Sequence, residues 1–169
     1  MKTIVKSAAQ AEVKAKKRDY TYTEFSKLRV SHEPVNIYGV VLDATFPHKS
    51  FNSNKYLCAF KVADLTSKTT DGTVDYISVV FFASRFEDLP ISQRVGEIIR
   101  IHRAVVGVYK EKLQLTVNIC FNSSWALFAP SFPKKTEDGK VQKASIEDYV
   151  PLTFYGKSMH TEAKDKQIV

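Results

Sequence analysis

A small all-β barrel is the fold this 169-residue chain predicts. Three observations carry it. Five runs rich in Val, Ile, Tyr and Phe recur between polar breaks, two of those runs are long and hold a glycine, and one short helix signal falls between the third run and the fourth. Long strands that bend where a side chain is missing suit a small closed barrel.

The first run, Val35 to Phe46, contains Gly39, and the fourth, Ile98 to Tyr109, contains Gly107; each glycine offers a place for a bulge or bend. The second run is Tyr56 to Asp64. The third is Tyr76 to Ala83, where alternation through Val79-Val-Phe-Phe82 leaves one of Phe81 and Phe82 outside the barrel. Ser84-Arg-Phe-Glu87 then has capping-box spacing, so a short helix is expected there, with Phe86, Leu89 and Ile91 plugging a barrel end and Pro90 limiting its length. Leu113 to Phe121 is the fifth run. Pro47–Asn54 and Thr66–Asp75 are polar loops, the second turning at Asp71-Gly72.

If Lys110-Glu111 is a two-residue turn, Tyr109 stands opposite Lys112 and Gly107 opposite Gln114. One face of this hairpin is then polar, carrying Arg103, Tyr109, Gln114, Thr116 and Asn118. Ala104, Val106, Val108, Leu113, Leu115, Val117 and Ile119 share the face expected to fill the barrel. Around this barrel, residues 1–19 read as a basic arm, 20–129 as the folded domain, and 130–169 as a linker or C-terminal extension marked by prolines, Lys134-Lys135 and Asp138-Gly139.

The formal charge of +7 is distributed unevenly: +4 over residues 1–20, +2 over 21–133 and +1 over 134–169. A polyanionic partner fits such a balance, because lysines that neutralise phosphates release condensed counterions. The apolar stretches fall far short of the roughly 18 residues that a membrane-spanning helix needs, and the N-terminus turns charged before an apolar run develops, so neither a transmembrane helix nor a secretory signal is expected. Cys58 and Cys120 are too few for a disulfide framework, and no His or Cys pair has metal-ligand spacing, so no metal and no cofactor is expected. The phosphate-loop, dinucleotide, zinc-protease and nucleophile-elbow motifs are missing. Asp43, Asp64 and Glu87 are carboxylates of the kind that cap and end strands, which leaves no acid–base pair to propose.

Four segments in order, Tyr38-Gly-Val-Val-Leu-Asp-Ala-Thr-Phe-Pro-His-Lys49, Phe82-Ala-Ser-Arg-Phe-Glu-Asp-Leu-Pro90, Gly96-Glu-Ile-Ile-Arg-Ile-His-Arg103 and Ser123-Ser-Trp-Ala-Leu-Phe128, resemble the first OB-fold of telomere end-binding proteins, alpha subunit of ciliate type. The related protection-of-telomeres proteins share the Leu-Pro, Gly-Glu-Ile and His-Arg portions, and Asp148 to Lys157 is similar to the linker that precedes the family's second OB-fold. The resemblance implies a five-stranded OB-fold Greek-key barrel with a short helix between strands 3 and 4. It also implies a non-enzymatic protein of the nucleus and the chromosome telomere, one that binds the single-stranded, G-rich 3′ overhang, caps it and regulates access of telomerase. A beta-type subunit would be met through domains beyond this chain.

By the same resemblance, Thr45, His48, Lys49, Lys55 and Tyr56 fall in or beside the binding loop, Phe82 at a base-stacking position, and Tyr109, Gln114 and Arg103 on the hairpin, with the Arg103 pair partly structural. The chemistry of these residue types agrees: aromatic rings stack on unpaired bases, lysines track phosphates, and Gln114, Thr45, Asp43 and Lys55 can address base edges. Trp125 reads instead as a buried anchor. The alternative is an OB-fold whose exposed face docks a partner subunit or peptide, which the nearly neutral central segment allows.

Overall fold

The computed structural model describes residues 20–130, 137–140 and 149–155; the basic arm, residues 1–19, lies outside them. Five strands make the barrel: β1 (Ser31–Ala44), β3 (Tyr56–Ala63), β4 (Ile77–Ala83), β5 (Ile98–Tyr109) and β6 (Lys112–Asn118). They are hydrogen-bonded in the order β1-β3-β4-β6-β5, and β5 pairs back onto β1 to close the ring. Every barrel pairing is antiparallel except β4 with β6. The two-residue β2 (His48–Lys49) folds back on β3, β7 (Ser124–Pro130) pairs with β5, and β8 (Tyr149–Tyr155) pairs with β7.

Alternation explains which face fills the barrel. Cys58, Phe60 and Val62 of β3, Val79, Phe81 and Ala83 of β4, and Leu115 and Val117 of β6 are all buried, and the Phe60 and Phe81 rings meet edge-on at 5.2 Å between centroids. Phe81 is thus the inner member of its pair and Phe82 the outer. Trp125 is buried, and its Nε1 donates to the Asp88 carbonyl at 2.9 Å, as an anchor should. Burial raises the Cys58 thiol to about 12, so it is an inert core side chain.

The expected bend of β1 at Gly39 is not there: Gly39 pairs in register with Ile99, and the shift of β1 against β3 falls between Val41 and Asp43. At Gly39 a Cβ would lie 2.2 Å from Val62 Cγ1 and 3.0 Å from the Ala63 carbonyl, so only glycine lets β1 lean this closely on β3. In β5 the kink lies at Arg103, φ 62°, where β5 carries one residue more than β1 between the Val35↔Ala104 and Ile37↔Ile101 pairs. Gly107, expected as a bend, instead pairs regularly with Gln114 and has nothing near its missing Cβ.

Two further expectations are corrected. The helix between the third and fourth barrel strands is a single 3-10 turn, Phe86–Asp88, held by an Arg85–Asp88 ion pair at 2.6 Å rather than by a Ser84 cap. Leu89 is the plug, while Ile91 remains at the surface. Val108 and Leu113 pair with each other on the inward-facing side, yet both are exposed, because the hairpin outruns the barrel: β6 first meets β4 at Ser78↔Gln114.

Outside the barrel, a second apolar layer forms on the back of β1, β5 and β7, where Tyr38, Ile98, Ala126 and Phe128 are covered by Tyr22 and Tyr149. Residues Ile98 to His102 are therefore buried on both faces. His102 stacks on Tyr20 at 3.9 Å, hydrogen-bonds the Tyr22 hydroxyl through Nε2 at 2.9 Å, and leaves Nδ1 without a partner. Desolvation, helped by Arg100 and Arg103, holds its pKa down near 3, so the ring is neutral. This layer closes the back of the barrel and leaves the front open.

Candidate nucleic-acid interface

The open face is built by the outward residues of β3, β4, β6 and the far half of β5, and the registers align them in three rows. Leu57, Phe82 and Asn118 form the first row. Ala59, Val80, Thr116 and Val105 form the second. Asp43, Lys61, Ser78, Gln114 and Gly107 form the third. Adjacent strands lie about 4.8 Å apart and successive outward residues about 6.7 Å apart along a strand, so the rows make a shallow floor of mostly small side chains. Large groups rise at its margins, which is the section of a trough.

One margin is the β1–β3 loop. Thr45 continues the ladder, its N–H reaching the Ala59 carbonyl at 2.8 Å and its Oγ1 accepting the Ala59 N–H at 2.9 Å. His48 and Lys49 are exposed on β2, with His48 Nδ1 3.1 Å from the Phe46 carbonyl. Lys55, half-buried, sets its Nζ 5.7 Å from the Phe121 ring centroid. The opposite margin is the hairpin, where Tyr109 is 61% exposed and stands across from Lys112. Its turn is Lys110-Glu111, both residues with positive φ (49° and 65°), the backbone of a two-residue hairpin.

Asp43 and Lys61 pair across the floor at 3.0 Å. Each sustains the other's charge, holding the carboxyl below its usual range and the ammonium above. Lys61 Nζ also lies 5.4 Å from the Tyr76 ring centroid. This pair is solvent-exposed, so it can open and offer an acceptor to a base amino group and a cation to a phosphate.

Eight of the ten residues singled out in the sequence lie on this trough or its margins: Asp43, Thr45, His48, Lys49, Lys55, Phe82, Tyr109 and Gln114. Two do not present themselves to it. Tyr56 has the inward parity of Cys58 and Phe60 and packs edge-on against Phe86 at 6.2 Å. The Arg103 guanidinium is spent on the Asn122 carbonyl and on Ser124 Oγ at 3.0 Å, while the Arg103 carbonyl accepts from Ser123 Oγ at 2.8 Å.

Three residues were not found from the sequence. Tyr76 and Lys61 share the outward parity of Phe82 and Ala59, a signal that was available. Phe121, 75% exposed at the first-row end of the trough, sits on the 3-10 turn Ile119–Phe121, where strand alternation gives no guide.

A closed β1-β3-β4-β6-β5 barrel with one parallel pairing is the OB-fold. The chain belongs to the telomeric single-stranded DNA-binding POT1/CDC13 family, whose model matches residues 16–169. Among its relatives, the telomere-binding protein subunit alpha of Sterkiella nova is 38% identical over 97% of this chain. The telomere-binding protein 51 kDa subunit of Euplotes crassus is 42% identical over 92%. The chain spans only 35% and 36%, respectively, of their lengths. The fold is shared with Pot1 (protection of telomere) in a complex with single-stranded DNA, at TM-score 0.63 and 19% identity over 89% of this chain and 81% of that one.

Proposed function

We propose that the trough holds a single strand of G-rich telomeric DNA, and that the chain is the first DNA-binding module of a longer protein that caps the 3′ overhang at chromosome ends in the nucleus and limits telomerase access. The observation that carries this reading is the arrangement of the rows: mainly small and polar side chains, with Phe82 among them, lie between two exposed rings, Phe121 at one end and Tyr109 at the other. Unpaired bases stack on such rings at roughly 1–3 kcal/mol each. Phe82 and Tyr109 supply ring faces, Gln114, Asp43 and Thr45 address base edges, and Lys49, Lys55 and His48 line the backbone path. A beta-type partner subunit would be engaged by the rest of the protein.

Fluorescence anisotropy of a labelled G-rich telomeric strand at two salt concentrations tests this, with a scrambled strand and the same-sequence RNA as competitors. Only the matching DNA should compete, and Lys49→Ala should reduce the salt slope by about 0.7, the value for one phosphate contact on a single strand. Salt-insensitive capture of a protein partner with no oligonucleotide affinity would instead favour a protein-docking face.

A further inference from the structure

Where the hairpin overhangs the barrel, a cavity of about 370 Å³ opens between the β3–β4 loop and the turn at Phe25–Lys27. Its walls are fixed in advance. The Asp64 carboxylate accepts from the Phe25 N–H at 2.7 Å, the Thr66 N–H at 2.8 Å, Thr66 Oγ1 at 2.6 Å and Ser67 Oγ at 3.1 Å, and the Ser26 N–H reaches Thr66 Oγ1 at 3.1 Å. Higher in the loop, Lys68 pairs with Val74. The wall segments, far apart in sequence, are thus tied into one unit whether or not anything is bound.

Two wall residues also belong to the trough. Tyr76 lines the cavity while its ring lies against Lys61 of the third row, and Lys112 lines it while standing opposite Tyr109. The cavity therefore adjoins the end of the trough at Tyr76 and Lys112. Phe25, Ile77 and Leu113 give it apolar walls, and Asp75 adds a carboxylate whose Oδ1, among the described residues, accepts the N–H of the next residue, Tyr76, at 2.8 Å and no other. A carboxylate has about four acceptor sites, so capacity remains for a ligand.

We infer that this cavity receives one further nucleotide of the bound strand, and that the nucleotide is a guanine. The volume is in the roughly 300–1,000 Å³ range of small-ligand sites. Aromatic and apolar walls accept a base, Lys112 meets its phosphate, and Asp75 can accept both N–H groups that guanine alone among the DNA bases presents side by side on its pairing edge. Adenine would set a ring-nitrogen lone pair against the carboxylate. The inference rests on the trough being the strand's path.

The test is anisotropy on the full chain with G-rich strands grown one nucleotide at a time from each end, starting from a strand that saturates the trough. At one end only, an added guanine should tighten binding about fivefold or more, the lower range for a stacked base. Inosine, which lacks the exocyclic amino group, should recover only part of that gain. Asp75→Asn should abolish the gain yet bind the shorter strand as wild type does, and Leu113→Trp, which fills the cavity from an already exposed position, should do the same. If both variants keep the full gain, or if no added nucleotide tightens binding while the shorter strand binds well, the cavity is not a nucleotide site. If no strand binds at all, the trough reading falls and takes this one with it.

Discussion

Tyr109 and His102 show how differently two ring side chains on one strand can be used. Tyr109, more than half exposed on the overhanging hairpin, contributes little to the core. Tyr109→Ala should weaken single-strand binding by about 1–3 kcal/mol and leave the melting temperature nearly unchanged, as parallel titration and thermal unfolding would show. His102 is buried and neutral, with a folded pKa near 3, below the roughly 6.5 of an unfolded histidine. Between those values the unfolded chain binds a proton that the native chain refuses, so stability falls as pH drops from about 6.5 toward 3, by at most about 1.4 kcal/mol per pH unit. Above pH 6.5 this contribution is flat. His102→Gln should lower the melting temperature at pH 7, through loss of the Tyr20 stack, yet flatten its decline between pH 6.5 and 4.

At the scale of elements, β1 depends on one missing side chain. Gly39→Ala would place a methyl 2.2 Å from Val62 Cγ1 with the Ala63 carbonyl beside it. The crowding should cost about 1–3 kcal/mol, read as a lower urea midpoint with an unchanged slope. Both glycines mark a bulge or bend in the sequence, but at position 39 the glycine serves a close approach of β1 to β3, with the register shift falling between Val41 and Asp43, and at 107 the pairing is regular. The bend of β5 falls instead on an arginine held at positive φ by its own hydrogen bonds to the Asn122–Ser124 segment, which no residue preference announces. The hairpin faces were legible from strict alternation over 113–119, and the turn from its register. β7 and β8 were not read as strands: Trp125 to Phe128 is buried on both faces and has no period, which periodicity alone cannot distinguish from other buried segments.

For the whole molecule, the division into a sealed back and an open front is what the sequence least revealed, because it depends on which strands receive a second cover. β5 passes from one regime to the other: doubly buried from Ile98 to His102, where β7 and the Tyr22–Tyr149 layer enclose it, and open from Val105 to Tyr109. Eight of the ten residues singled out in the sequence nonetheless lie at the front, since an outward position on a strand and exposure in a loop both leave traces in alternation and composition. The two that point elsewhere, Tyr56 and Arg103, have side chains suited equally to packing and to contact, and only the fold assigns them.

The central claim is that the front carries the strand, and amide chemical-shift mapping of the 19.1 kDa chain during titration with G-rich single-stranded DNA tests it most directly. The largest changes should follow the rows, at Ala59, Lys61, Ser78, Val80, Gln114, Thr116 and Gly107, and spread to Lys49, Lys55 and Phe121 at the margins. Changes concentrated instead on the back, around Tyr22, Tyr38, His102 and Tyr149, with the rows unmoved, would contradict it.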